Sequence, residues 1–355
     1  MYQTSVVQWI EHRTSKPGVA SSILARGAII ESNKGVVLAN IVFLGNFEVS
    51  YSSENHHANS LESLGHTVIK LQERKAKTQT ILEKASQSDL FIWVHTHGWE
   101  TGGNITMDDV LKKLNAAGVP TMTYHLDLWF GLDRQKDLKH DSFYRTIGHF
   151  FTVDKLMADW FDHNTAVKGH FMPAGVYDKE CYIHPDYDTQ GFEYDVIFVG
   201  SKRYHHEHKY RPELIDFLRK TYGKRFLHVG GDGDTGTIRG DALNRIYAKS
   251  KIAVGDSLNI GFEYPYYTSD RLFESTGRGG FTIYPEIKGL DEYFGPDEVV
   301  FYKHGDFNNL RDKIDQYLEN SLVRERIRVN GHNRTKKEHT YVHRWTAILE
   351  ELGIS

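Results

Sequence analysis

Short apolar runs alternate with amphipathic stretches along most of this chain. Residues 37–46 (VLANIVFLGN) are β-branched and apolar and end in Gly-Asn, which predicts a buried strand and a turn. A helix over residues 55–64 closes at Gly65, a strand covers 66–71, a helix 77–86 and a third strand 89–95. Residues 107–117 read as a helix ended by Gly118-Val119-Pro120, and 121–125 as a fourth strand. A second series begins after Pro173. Residues 194–200, 225–229, 252–256 and 280–284 read as strands. Helices over 212–221 and 241–249, and one starting at Ser269, lie between them; three more cover 303–319, 322–337 and 342–352. Such alternation predicts parallel strands with helices on both faces. The expected fold class is α/β, with two Rossmann-like doubly wound domains facing a cleft. Pro173, Gly175 and Pro185 interrupt the pattern and place the boundary there, giving domains over 36–172 and 173–340. Residues 341–355 form a terminal helix expected to pack back on the first domain.

Open parallel sheets bind ligands beyond the carboxyl ends of their strands, so the chemistry is sought there. Gly200-Ser201-Lys202-Arg203 follows an apolar strand; glycine lets the backbone approach a ligand, and amides with two cations suit a diphosphate. Gly230-Gly231-Asp232-Gly233-Asp234 follows another strand. Its Asp-x-Asp could hold a divalent metal, but the glycines favour a strand-to-helix loop. Residues 267–281 (YTSDRLFESTGRGGF) are the sharpest segment. Arg271 and Glu274 share one helix face. A helix start favours bound phosphate, Arg271 adds charge, and Glu274 offers two acceptor oxygens for ribose hydroxyls. The bland alternative is a surface ion pair.

In the first domain, Gly45-Asn46 follows strand one, His95-Thr96-His97 ends strand three, and Tyr124-His125-Leu126-Asp127 ends strand four. Asp127 or His125 could act as general base on a hydroxyl. His95 and His97 as zinc ligands lack a third, and the His205, His206, His208 run reads as a solvated helix start sooner than a metal site.

Composition changes this picture little. The chain has 355 residues and a formal net charge of −4, so no global basic field announces nucleic acid. The one cysteine, Cys181, rules out an internal disulfide and suits a cytoplasmic setting. No stretch approaches the ~18 apolar residues of a membrane helix. Residues 5–27 look like the product of translating a transfer-RNA gene, so 1–35 are expected to be a non-native or disordered extension. The basic helix carrying Arg324, Arg326, Arg328, Arg334, Lys336 and Lys337 would suit phosphates or simply face solvent.

Ser269-x-Arg271-x-Phe273-Glu274, followed by a glycine-rich turn and an apolar strand, resembles the nucleotide-sugar site of GT-B glycosyltransferases. The group resembled most is that of group-1 and bacterial spore-maturation glycosyltransferase-like proteins. Residues 243–256, 295–302 and 171–177 also look like segments of that group. The resemblance covers residues 170–352 well, and the earlier part by fold pattern only. It implies a metal-independent, retaining transfer of sugar from a nucleotide sugar, expected to be a UDP-sugar, to an acceptor hydroxyl, with no cofactor. The first domain would be the acceptor side and the second would bind the donor. It assigns Arg271 to the departing diphosphate, Glu274 to the ribose, and Gly200, Ser201 and Arg203 to the phosphates. Gly230, Asp256, Ser257 and Ser269 join them on the donor side. A carboxylate common some eight residues before the ribose-binding Glu is not clearly placed; Glu263 lies eleven before it. The acceptor stays open between glycan, protein and a modified base of phage DNA. A degenerate fold kept as a coat protein and a sugar-phosphate epimerase are the competing readings.

Overall fold

The computed structural model describes residues 38–95, 102–258 and 264–354. The expectations for residues 1–35, His97 and Glu263 lie outside these. Two sheets carry the fold. The first holds β1 (Asn40–Gly45), β2 (Thr67–Gln72), β3 (Leu90–Trp93), β4 (Thr121–His125), β5 (His149–Thr152) and β6 (Lys168–Phe171), in the order β2-β1-β3-β4-β5-β6. The second holds β7 (Tyr194–Val199), β8 (Phe226–Val229), β9 (Ser250–Val254), β10 (Thr282–Pro285) and β11 (Val300–Tyr302), in the order β11-β10-β9-β7-β8. Every pairing is parallel. In both sheets the chain starts one strand in from an edge, adds that edge strand, then crosses to build the other side, as doubly wound sheets do. The α/β expectation of two such sheets holds.

Helices cover the faces: α1 (Ser53–Ser63), α2 (Thr78–Ala85), α3 (Met107–Ala116) and α4 (Lys155–Asn164) on the first sheet; α5 (Tyr210–Tyr222), α6 (Gly240–Ala248), α7 (Asp270–Gly277), α8 (Phe307–Glu319) and α9 (Ser321–Glu338) with the second; and α10 (Tyr341–Leu352). Strand interiors therefore read as continuous apolar runs, such as Ile41 to Leu44 and Val196 to Val199, all buried. Asp154 starts α4 by accepting from Met157 N at 3.2 Å, and Thr106 and Asp109 form a capping box on α3.

Among the elements that escape the apolar pattern are β5, α4 and β6. The two strands have four residues each, and β6 (KGHF) is largely polar. Gly169 shows what fixes them. A Cβ there would lie 2.1 Å from the Ala158 carbonyl, so α4 packs directly on the β6 backbone. That is a tertiary constraint with no local signature.

The last helix returns to the first sheet. Tyr341, Trp345, Ile348 and Leu349 join the core formed by Ile41, Phe43, Ile92 and Tyr124. Trp345 Nε1 donates to His57 Nδ1 at 3.1 Å, and Arg344 Nε to the Ala174 carbonyl at 2.9 Å.

The basic helix needs a correction. Arg324 and Arg328 are buried, and Arg328 donates to the carbonyls of Gly279, Ser250 and Lys251 at 2.7–2.9 Å. Arg334 pairs with Glu338. Arg328 ties α9 to the second sheet and Arg324 ties it to the Tyr317 carbonyl of α8, so of the six basic residues Arg326, Lys336 and Lys337 are left exposed. No helix among the described residues is long and apolar enough to cross a membrane.

Candidate active site

The carboxyl ends of β7, β8 and β9 meet the start of α7. At the end of β7 the chain turns at Gly200, whose φ of 141° favours glycine. The space above it is taken: a Cβ would lie 3.1–3.3 Å from the Arg271 guanidinium. Gly230, at the end of β8, is pressed against it from below, because a Cβ there would sit 2.5 Å from the Gly200 carbonyl. His228 also reaches that carbonyl through Nε2 at 2.7 Å. Both glycines are thus required by close approach of backbone and of Arg271.

Asp256 is the centre of the cluster. It lies just beyond β9 and is fully buried. Arg211, at the start of α5, donates from Nε to its carboxylate at 2.7 Å and to the Ser201 carbonyl at 3.1 Å. Arg271 donates to the other carboxylate oxygen at 3.3 Å and to Ser269 Oγ at 3.3 Å. Burial pushes the Asp256 carboxyl up, yet Arg211, Arg271 and His208 outweigh it and hold it below the ordinary carboxylate range. For Arg271, burial works against charge, and Asp256, Asp270 and Glu274 more than restore it. One carboxylate faces two arginines here, so the knot keeps positive charge at a helix start, which suits an anionic ligand. Ser257 Oγ and His208 Nε2 are buried beside it without hydrogen-bond partners among the described residues.

The entry to α7 is fixed in a sparsely populated conformation. Tyr266 holds a φ of 64°, unusual for an aromatic residue, with its N–H bonded to the Lys288 carbonyl at 2.7 Å. Ser269 is the N-cap residue but its side chain caps no backbone N–H. The first-turn amides of α7 are therefore not consumed by that side chain. Glu274, one turn on, is partly exposed, 3.6 Å from Arg278. Asp270 sits between them, its carboxyl pushed up by burial and by Glu274.

The predicted donor residues mostly converge. Gly200, Ser201, Gly230, Asp256, Ser257, Ser269, Arg271 and Glu274 all lie on these loops and on α7. Arg203 contributes a backbone N–H held by Asp232 at 3.0 Å, while its side chain is exposed. Asp232 also accepts from Lys202 N, and Asp234 from His228 N and Arg219. The Asp-x-Asp carboxylates thus shape the loop.

On the facing sheet, Asp127 lies just past β4, 3.5 Å from Arg134, and its charge raises the Tyr204 hydroxyl across the cleft. His125 is placed differently from the general base the sequence suggested. It is buried, accepts from Trp129 Nε1 at 3.0 Å, and lies 3.1 Å from the Val94 carbonyl through Nε2. Both ring nitrogens are engaged inside the fold, so Asp127 is left as the acceptor-side candidate. His95 Nε2 is tied to Asp141 at 2.7 Å. His205, His206 and Glu207 come within 4.8 Å of one another. His206 lies 3.2 Å from Asp133, and Glu207 accepts from Asp133 N, so these residues link the two halves.

Arg211, Asp270 and Arg278 were not singled out from the sequence, and His208, read there as part of a solvated helix start, is buried beside Asp256 instead. Arg278 is buried and bonds Glu180, Asn244 and the Gly240 carbonyl, bracing α7 from behind. An arginine beside the helix-opening Pro212 was the available signal for Arg211. Its partner lies 45 residues away, beyond local reasoning.

Two facing doubly wound sheets, with a cationic helix start at the carboxyl ends of the second, define the GT-B class. Residues 208–350 match the glycosyl transferase-like family, and the two sheets together have the GT-B fold. Its fold is similar to an α-glucosyltransferase solved with UDP-glucose and DNA containing an abasic site: TM-score 0.63, 10% identity, 89% of this chain and 99% of that one. It is also similar to HepE of Anabaena solved with UDP and glucose (0.58, 13%, 89% and 99%). Sucrose-phosphate synthase of Thermosynechococcus elongatus matches at 0.57 and 12%, over 88% and 97%. No curated protein matches the chain by sequence.

Proposed function

We propose that this protein transfers a sugar from a nucleotide-sugar donor, a UDP-sugar, to an acceptor hydroxyl, with retention and without a metal. One observation carries the reading: Arg271 and Arg211 converge on buried Asp256, against Gly200 and at the start of α7. Preorganised cations and helix amides stabilise charge as it develops on a leaving diphosphate. Arg271 and the α7 amides serve that charge, with Arg211 holding Asp256 in place. Glu274 accepts the ribose hydroxyls, and Gly200 and Ser201 border the phosphates, on a loop that Asp232 shapes through the Arg203 amide. Asp127 faces the donor side from the acceptor half. Support for a uridine donor comes from the names of the similar structures, two of which hold UDP-glucose or UDP with glucose.

One similar structure is named with DNA, which keeps a hydroxymethylated base among the acceptors to test. Arg324 and Arg328 of the basic helix lend that choice nothing, since both are consumed inside the fold.

The test is a screen by mass spectrometry of UDP- and other nucleotide sugars against neutral glycans, peptides and hydroxymethylated DNA. A glycosylated product with release of the nucleoside diphosphate is expected. Binding of nucleotide with no donor consumed across the panel would point to a degenerate, non-catalytic fold.

A further inference from the structure

Beyond the carboxyl ends of the first sheet lies a cavity of about 270 Å³. Ligand cavities run from roughly 300 to 1,000 Å³, so this one suits a single ring-sized group. Its charged lining is all acidic: Glu54 from α1, Glu73 just past β2, and Asp127 just past β4. No lysine or arginine is among its described lining residues, and Tyr204 reaches it from the other half.

Two buried side chains in that wall have polar atoms to offer. Glu73 is 4% exposed, and its Oε1 accepts from Trp93 Nε1 at 2.6 Å. Burial pushes its carboxyl up to about 7; Trp93, His95 and Arg74 oppose the rise and Glu54 adds to it. His57 is 3% exposed. Its Nδ1 accepts from Trp345 Nε1, which assigns the ring proton to Nε2. That Nε2 has no hydrogen-bond partner among the described residues. The ring packs between Tyr124, Tyr341 and Trp345. His57 lines the cavity, and a ligand oxygen that reached Nε2 would recover the about 1–3 kcal/mol that an unmade buried hydrogen bond costs.

We propose that this cavity is a subsite for one uncharged, hydroxyl-bearing ring of the acceptor. His57 Nε2–H donates to one hydroxyl, Glu73 accepts from another, and the acidic lining turns away phosphorylated acceptors. The proposal rests on the glycosyl-transfer reading for the word acceptor, and its chemistry rests on the cavity alone. A neutral sugar ring has the donors and acceptors this wall requires. A phosphate would meet Glu54, Glu73 and Asp127, with no lysine or arginine among the lining residues and Arg134 already paired with Asp127 behind them.

The test titrates neutral hexoses and the matching hexose 6-phosphates into the full chain with UDP present to occupy the donor side. Wild type, Glu73→Gln and His57→Phe are compared, with a melting curve and a UDP titration for each. The neutral hexoses should bind at least ten-fold more tightly than their phosphates. Glu73→Gln should weaken the neutral sugar several-fold and narrow the gap to the phosphate; His57→Phe should weaken both. Equal or tighter binding of the phosphates, or an unchanged neutral-sugar affinity in Glu73→Gln, would overturn the subsite. Failure of wild type to bind UDP would strike the donor reading instead, and hexose binding alone then decides the subsite.

Discussion

Single side chains at this site are balanced against one another, so each has a distinct signature when removed. Asp256 compensates two arginines in a buried place. Breaking a buried pair on one side costs about 3–5 kcal/mol, because the charge left behind is uncompensated. Asp256→Asn should therefore lower the melting temperature markedly, whereas Glu274→Gln, on a partly exposed carboxylate, should leave it nearly unchanged. Glu274→Gln instead touches the ligand. Wild type should prefer UDP to 2′-deoxy-UDP, and the variant should lose that preference, by roughly ten-fold in affinity for a charge-assisted hydrogen bond. Calorimetry with the two nucleotides checks it. Glu73 gives a pH signature. Its folded carboxyl is raised from 4.5 to about 7, so the folded state binds the proton more tightly than the unfolded state. Its contribution thus falls as pH rises from about 4.5 through 7. Glu73→Gln has no such loss and should gain on wild type across that window, by on the order of 2 kcal/mol, in urea melts at pH 5 and pH 8.

At the scale of elements, the donor site is made by loops that have no freedom to spread. Gly230 supports Gly200, and Gly200 supports Arg271. Gly230→Ala must move one of these backbones, since its Cβ would lie 2.5 Å from the Gly200 carbonyl. It should weaken UDP binding by ten-fold or more while the remote core of α10 stays intact, read by titration and near-ultraviolet circular dichroism. Most of the elements were legible because they announce themselves locally. β1, β4, β7 and α7 have apolar runs or glycine punctuation, and the predicted segments fall within a few residues of them. The Ser-x-Arg-x-Phe-Glu signature likewise pointed to α7. β5 and β6 were not legible because they are short, and β6 is polar and held by contact with α4 through Gly169. Arg211 was missed for the same kind of reason: its role exists only once β9 brings Asp256 beside it. His125 misled in the opposite sense. A histidine at a strand's carboxyl end looks chemical, yet Trp129, four residues on, occupies one of its nitrogens.

The whole molecule is held together by more than the chain that joins its sheets. Tyr264 donates to the Phe130 carbonyl at 2.6 Å, Glu207 accepts from Asp133 N, and α10 crosses back to place Trp345 in the first core. Trp345→Ala should cost roughly 3–5 kcal/mol, read by urea denaturation. The donor side of the cleft carries the proposed activity, and UDP release from a UDP-sugar reads that side directly. Wild type should turn over at least one UDP-sugar, and Arg271→Ala should both slow that release and weaken UDP binding by at least ten-fold. No turnover of any UDP-sugar, together with Arg271→Ala binding UDP as tightly as wild type, would contradict it.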